Sequence, residues 1–221
     1  MSALTLPNLN SSTGEKEKVA KVKKIYQNLN DAVGRAVAVY GPVEEWFASD
    51  TTAPAQATRF GQRITEFMKV SKTCTGNTSS CFPKKISLGP NNTTLFEDFY
   101  NSNYGFILAD GTGVVITYQT GLAPGQPGRA DGYGLTDAIC DCILVDIDGP
   151  NKGGSAPGRD IFAFQLGERD DVIYPGGTES PISTYVSGDG LGLTKWVVDM
   201  GNMDYMKCAS KLNWTNQTSC K

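Results

Sequence analysis

Val19-Ala20-Lys21-Val22-Lys23-Lys24-Ile25-Tyr26-Gln27-Asn28-Leu29 is the stretch from which the fold is read. Its apolar side chains at Val19, Val22, Tyr26 and Leu29 continue to Val33, Val37 and Tyr40 in steps of three or four residues. That spacing draws one stripe along a helix of about six turns at ~3.6 residues each. Lys16, Lys18, Lys21, Lys23, Lys24, Gln27 and Asn28 fill the opposite face, which reads as a solvated helix surface rather than a DNA-binding one. Upstream, Ser12-Thr13-Gly14-Glu15 has the form of a capping box, and Gly41-Pro42 forms a stop. The pattern predicts a helix over residues 14–40. A single greasy stripe on a long helix must be covered by another layer.

Outward from that helix, Phe60, Ile64, Phe67 and Met68 give a second, shorter helix an apolar side around Ala55–Val70, with Pro54 near its first turn. Residues 71–94 read as a polar surface loop carrying Cys74 and Cys81. The period then changes. Tyr104–Ala109 and Val114–Tyr118 are β-rich runs joined at Asp110-Gly111, a hairpin pattern. After a Gly/Pro-rich loop at Thr120–Gly134 come strand candidates Ala138–Ile147 and Asp160–Leu166, then an apolar piece, Trp196-Val197-Val198. The expected fold class is α+β: a long N-terminal helix packed on an antiparallel sheet, with a shorter second helix and a C-terminal disulfide loop. The 221 residues are expected to form one domain, with a helix region at 1–48, a helix and variable-loop region at 49–103, and a sheet region at 104–221.

Composition narrows the function. A net charge of −3 gives no electrostatic case for nucleic acid as a partner. Histidine is absent, which removes Ser-His-Asp and Cys-His nucleophile activation and His-ligated zinc. Six cysteines fall into three close couples and permit about 15 pairings, so an oxidising compartment is expected while the pairing stays open. The spacing favours local staples at Cys74–Cys81 and Cys208–Cys220. Cys140 and Cys142 would share one strand face as free buried thiols; cross-pairing elsewhere and redox use are the alternatives. Asn-x-Ser/Thr triplets at Asn77, Asn92, Asn213 and Asn216 mark surface loops.

Several motifs, in order along most of the chain, resemble one branch of the type IV pilin family, which includes the type II secretion pseudopilins. Ala3-Leu4-Thr5-Leu6-Pro7-Asn8-Leu9 resembles the close of that branch's hydrophobic segment, and Val22-Lys23-Lys24-Ile25-Tyr26-Gln27-Asn28-Leu29 its lysine-bearing helix. Tyr104-Gly105-Phe106-Ile107-Leu108-Ala109-Asp110-Gly111-Thr112 resembles its Gly-Phe-x-Leu-x-Asp-Gly-Thr hairpin. Val145-Asp146-Ile147-Asp148-Gly149-Pro150-Asn151, with Gly158-Arg159-Asp160-Ile161-Phe162, resembles its strand-end signature, and Asn202-Met203-Asp204-Tyr205-Met206-Lys207-Cys208 its ending.

The resemblance implies a structural subunit, not an enzyme, built into a type IV pilus or a type II secretion pseudopilus. Such subunits carry a short basic leader, a processing motif and about 20 apolar residues. The present sequence is accordingly expected to be the portion following that segment. It implies other pilin or pseudopilin subunits as partners, the inner membrane and periplasm before assembly, and the cell surface or extracellular pilus afterwards. The alternative is a minor-pilin binding module whose 71–94 and 178–193 loops recognise a surface, a glycan or DNA; a secreted enzyme is the third reading.

One cluster invites a ligand. Asp146, Asp148, Asn151 and Asp160 gather oxygens at a strand end, with Asp146 and Asp148 on one side if the strand continues. Calcium takes six to eight oxygens, so the loop is a candidate calcium site; turn chemistry around Gly149-Pro150 is the competing account. The carboxylate pairs Asp146/Asp148, Asp170/Asp171 and Glu44/Glu45 read as solvated surface rather than glycosidase acids. Gly188-Asp189-Gly190-Leu191-Gly192 lacks the lysine and the following helix of a phosphate cradle.

Overall fold

The structure is a computed structural model that describes residues 6–47, 53–87, 90, 95–96, 101–117, 138–167 and 170–220. Its architecture is α+β. Helix α1 runs from Leu6 to Tyr40, followed by a short 3-10 turn at Val43–Phe47 and helix α2 at Ala53–Thr65. Six strands then build one sheet: β1 (Val70–Asn77), β4 (Asn101–Leu108), β5 (Gly113–Thr117), β6 (Ala138–Asp146), β7 (Ile161–Gly167) and β8 (Ile173–Pro175). Their spatial order is β1-β4-β5-β6-β7-β8, and every neighbouring pair is antiparallel. A separate two-stranded ribbon pairs β2 (Ile86–Ser87) with β3 (Leu95–Phe96). Three short helices close the chain: α3 (Ile182–Ser187), α4 (Leu193–Met200) and α5 (Tyr205–Cys208).

The α1 stripe lies on the sheet, as the period requires. Val19, Val22, Leu29 and Val33 are buried, and Ile25, Ala32 and Ala36 join them, so the covered band is wider than the pattern of large side chains suggested. Tyr26 stacks on Phe164 of β7 with ring centroids 5.9 Å apart. Side chains of the sheet alternate with period two. Val114, Ile116, Ile143, Val145, Phe162 and Phe164 enter the core shared with α1, while Val115, Leu144, Ile161 and Ala163 enter a second cluster with Phe82, Ile86 and Leu191. Both faces of the central strands are therefore covered, and each large side chain buried there contributes about 1.5–3 kcal/mol. Helix α2 sits on β4 so closely that a Cβ on Gly61 would lie 2.1 Å from the Tyr104 ring.

Asn30, on the flank of α1, clips the last strand. Its Oδ1 accepts from the Ile173 amide at 2.9 Å, and its Nδ2 donates to the Ile173 carbonyl at 3.3 Å. At the other end of the helix, Lys207 pairs with Glu15 at 2.7 Å, tying the C-terminal region to the rod. Asn202 is the hub of that region. Its Oδ1 accepts from the Trp196 indole and the Asp204 amide, and its Nδ2 donates to the Thr218 carbonyl at 2.9 Å. Disulfides join Cys74 to Cys81 and Cys208 to Cys220, the two local staples favoured by spacing. The side chains of Cys140 and Cys142, and the Thr120–Gly134 loop, lie outside the described residues.

Three local expectations are corrected. Helix α1 begins at Leu6, so Ser12 stands inside it and the Ser12–Glu15 sequence is not its start. The segment read as loop from residue 71 instead begins with β1, and the second helix ends at Thr65, leaving Phe67 and Met68 in the turn before that strand. Trp196-Val197-Val198 is helical, within α4. The helix stop held: Gly41 adopts φ +77° and donates to the Val37 carbonyl at 3.0 Å.

Candidate functional site

The acidic turn between β6 and β7 is built by its own side chains. Strand β6 ends at Asp146, whose Oδ1 accepts from the amides of Asp148 and Gly149, each at 3.1 Å. This is an Asx-type turn, in which a side chain replaces the next strand residue as hydrogen-bond acceptor. Gly149 takes φ +88°, and a Cβ there would lie 2.5 Å from the Gly111 carbonyl oxygen. The β6–β7 turn and the β4–β5 turn are thus in contact, backbone to backbone.

Because the strand stops, Asp146 and Asp148 do not share a face. Asp146 points inward and is 1% exposed, with Ser155 Oγ donating to its Oδ2 at 3.4 Å. Burial pushes its carboxyl up from 3.8 to about 7, and the charges of Asp160 and Asp148 add to this, while the two amide donors oppose it. Asp160 is also nearly buried; its Oδ1 accepts from the Ala156 amide and its Oδ2 from Arg159 Nε at 3.3 Å. Asp148 turns outward to helix α1, where Lys18 and Lys21 approach its two oxygens at 3.5 and 3.8 Å. The same ammonium groups donate to the Arg159 and Ile147 carbonyls, both at 3.1 Å. Asn151 is exposed.

The pattern repeats one turn further along α1. Lys24 pairs with Asp110 of the β4–β5 turn at 3.0 Å. Burial raises the Asp110 carboxyl, but hydrogen bonds from Lys24 and Thr112 outweigh it and leave the group below its ordinary value. Lys18, Lys21 and Lys24 are three residues apart, so they follow one line on the flank of the helix. The face expected to be wet therefore includes a row of ammonium groups docked on the sheet's turns. Sequence reading missed this row, although its spacing beside the apolar stripe was visible.

These contacts decide what the turn can hold. Asp146 and Asp160 come together, Asp148 and Asn151 do not join them, and two ammonium groups stand where a cation would meet Asp148. A calcium ion would have to displace Lys18 and Lys21, so the donor set in this arrangement does not fit the ion. Among the described residues, no three acidic or thiol side chains gather as a metal-holding group.

Asp170 and Asp171 are also in use. The Asp171 carboxylate accepts from the Val43 amide at 2.8 Å, and Asp170 accepts from the Tyr174 hydroxyl. The side chain of Glu44 lies outside the described residues. The run Gly188–Gly192, read as having no helix after it, leads directly into α4. The amides of Leu193, Thr194 and Lys195 donate to the carbonyls of Gly190, Leu191 and Gly176, so they are engaged within the protein. No helix among the described residues is long and apolar enough to cross a membrane. Comparison of the chain with protein-family models, with curated proteins and with solved structures finds no match.

Proposed function

We propose that this protein is a structural subunit of a pilin-like fibre, either a type IV pilus or a type II secretion pseudopilus, with no catalytic role. The observation that carries the reading is helix α1, a single rod of 35 residues. Glu15 and Lys18 on it are ion-paired to the rest of the fold, and Val19 is its first buried position among the described side chains. At ~1.5 Å per residue, Leu6 to Val19 spans about 20 Å.

From Lys18 onward the rod is fixed in two ways. Its apolar stripe is buried on the sheet, and its lysine row docks on the two turns. A fibre subunit needs this combination: a mounting shaft that carries load and a head that cannot rotate about it. The motif resemblance adds an apolar segment ahead of Ala3. That segment would anchor the subunit in the inner membrane before assembly and pack against other subunits in the fibre. The assembled protein would then stand on the cell surface or outside it.

The natural reading frame ahead of Ala3 is the direct test. It should encode a processing motif and about 20 apolar residues, and the full-length protein should appear by electron microscopy in sheared surface filaments. A frame that supplies no apolar stretch, or a full-length protein absent from every filament and from the membrane fraction, would end this reading.

A further inference from the structure

A groove of about 430 Å³ runs beside α1, away from the acidic turn. One wall is a line on the helix: Lys24, Asn28, Asp31 and Arg35. The opposite wall and floor come from Phe67-Met68-Lys69, where α2 hands over to β1, and from Leu108-Ala109-Asp110 at the hairpin. The Ala109 amide donates to the Lys69 carbonyl at 2.9 Å, which locks the two floor segments together. Nothing already described uses this groove except the Lys24–Asp110 ion pair at one end.

We propose that the groove binds an acidic saccharide, a sugar ring carrying a carboxylate. The Arg35 guanidinium lies over the Phe67 ring at 5.2 Å, so its face is engaged while its N–H groups donate to no acceptor among the described residues. A planar fork of this kind pairs with a carboxylate through two parallel hydrogen bonds. The ammonium of Lys69 and the side chains of Asn28 and Asp31 likewise have no partner among the described residues. With Lys24 neutralised by Asp110, two cations and one carboxylate are left without a partner among the described residues, and the groove favours an anion.

Asp31 and Asn28 then discriminate between anions. A carboxylate acceptor beside an amide donor suits vicinal hydroxyls, whereas a bare acid or an acidic peptide leaves Asp31 facing like charge. The apolar floor of Phe67, Met68 and Leu108 suits the C–H face of a ring. The volume falls in the range of small-molecule sites. The groove lies outside the 178–193 loop and the 71–94 segment, and the inference concerns the soluble protein in solution, independent of whether it forms fibres.

The test is titration of the protein with glucuronate and galacturonate, followed by amide NMR shifts, with glucose, acetate and a triglutamate peptide as comparators. Saturable binding is expected for a uronate, with shifts centred on residues 28–35 and 67–69, and at least tenfold weaker binding of glucose and acetate. Lys69→Ala and Asp31→Asn should each weaken uronate binding about tenfold without moving the thermal midpoint, because both side chains are exposed. Arg35→Ala should weaken it further. No saturation by either uronate up to about 20 mM would overturn the proposal. So would binding indifferent to Lys69→Ala and Asp31→Asn, or the peptide binding more tightly than the sugars.

Discussion

At the scale of single residues, Asp146 is the side chain whose chemistry departs most from its sequence appearance. In the chain it reads as a candidate calcium ligand at a strand end; in the fold it is enclosed and its carboxyl is pushed up to about 7 by burial. A raised folded-state value means that the folded chain holds more protons than the unfolded one between about pH 4 and pH 7. Stability should therefore fall as pH rises through that window, by at most about 1.4 kcal/mol per pH unit from this group. Urea unfolding at pH 4.5, 5.5, 6.5 and 7.5 should show that slope, and Asp146→Asn, which keeps an oxygen for the two amides, should flatten it. An equal slope in the variant would remove Asp146 as the source. Because Lys18 and Lys21 occupy the approach to Asp148, adding calcium or a chelator should leave the thermal midpoint unchanged within about 1 °C. A rise of several degrees with calcium would mean that the ion does displace the two lysines.

At the scale of elements, α1 is held by burial first and by charge second. Leu29 is fully enclosed, and Leu29→Ala should cost roughly 2–5 kcal/mol. Lys21→Ala removes a partly exposed ion pair and one carbonyl contact, and should cost about 1 kcal/mol or less. Denaturant midpoints of the two variants give the comparison; a loss at Lys21 as large as that at Leu29 would mean that charge holds the rod as firmly as burial does. The stripe was legible because one face alternated cleanly at the helical period. The Gly41 stop, the Asp110-Gly111 hairpin and strands β6 and β7 were legible for similar reasons. Strand β1 was not, because Ser71, Lys72, Thr73 and Thr75 are all exposed and only Cys74 among them is buried, which leaves no alternation to read. Helix α4 was hidden by the reverse effect: Trp196, Val197 and Val198 prefer strands, and burial against the core overrides that preference. In the acidic turn, the composition was readable but the directions were not. Asp148 faces helix α1 only because β6 ends two residues earlier, and strand ends are set by packing more than by local sequence.

At the scale of the molecule, the chain's far end is brought back to the helix near its beginning. The Cys208–Cys220 bridge, the Trp196–Trp214 contact at 5.1 Å and the Lys207–Glu15 pair make one clasp. Replacing both cysteines by serine should cost about 2–3 kcal/mol. In a domain of this size that lowers the thermal midpoint by about 5–10 °C, and differential scanning calorimetry would read it. An unchanged midpoint would show that the aromatic and Asn202 contacts hold the tail without the bridge. The Asn30 clip has a consequence on the same scale. Both hydrogen-bonding groups of Ile173 are taken by one side chain, and the next outward-facing residue of β8, Pro175, has no N–H to offer. That border of the sheet is sealed against a visiting strand, whereas β1 at the far border runs for eight largely exposed residues. Among the described residues, copies meeting side by side can extend the sheet from the β1 border but not from the β8 border. Two copies joined at their β1 borders would each turn a closed β8 border outward, so lateral strand addition of this kind ends at a pair.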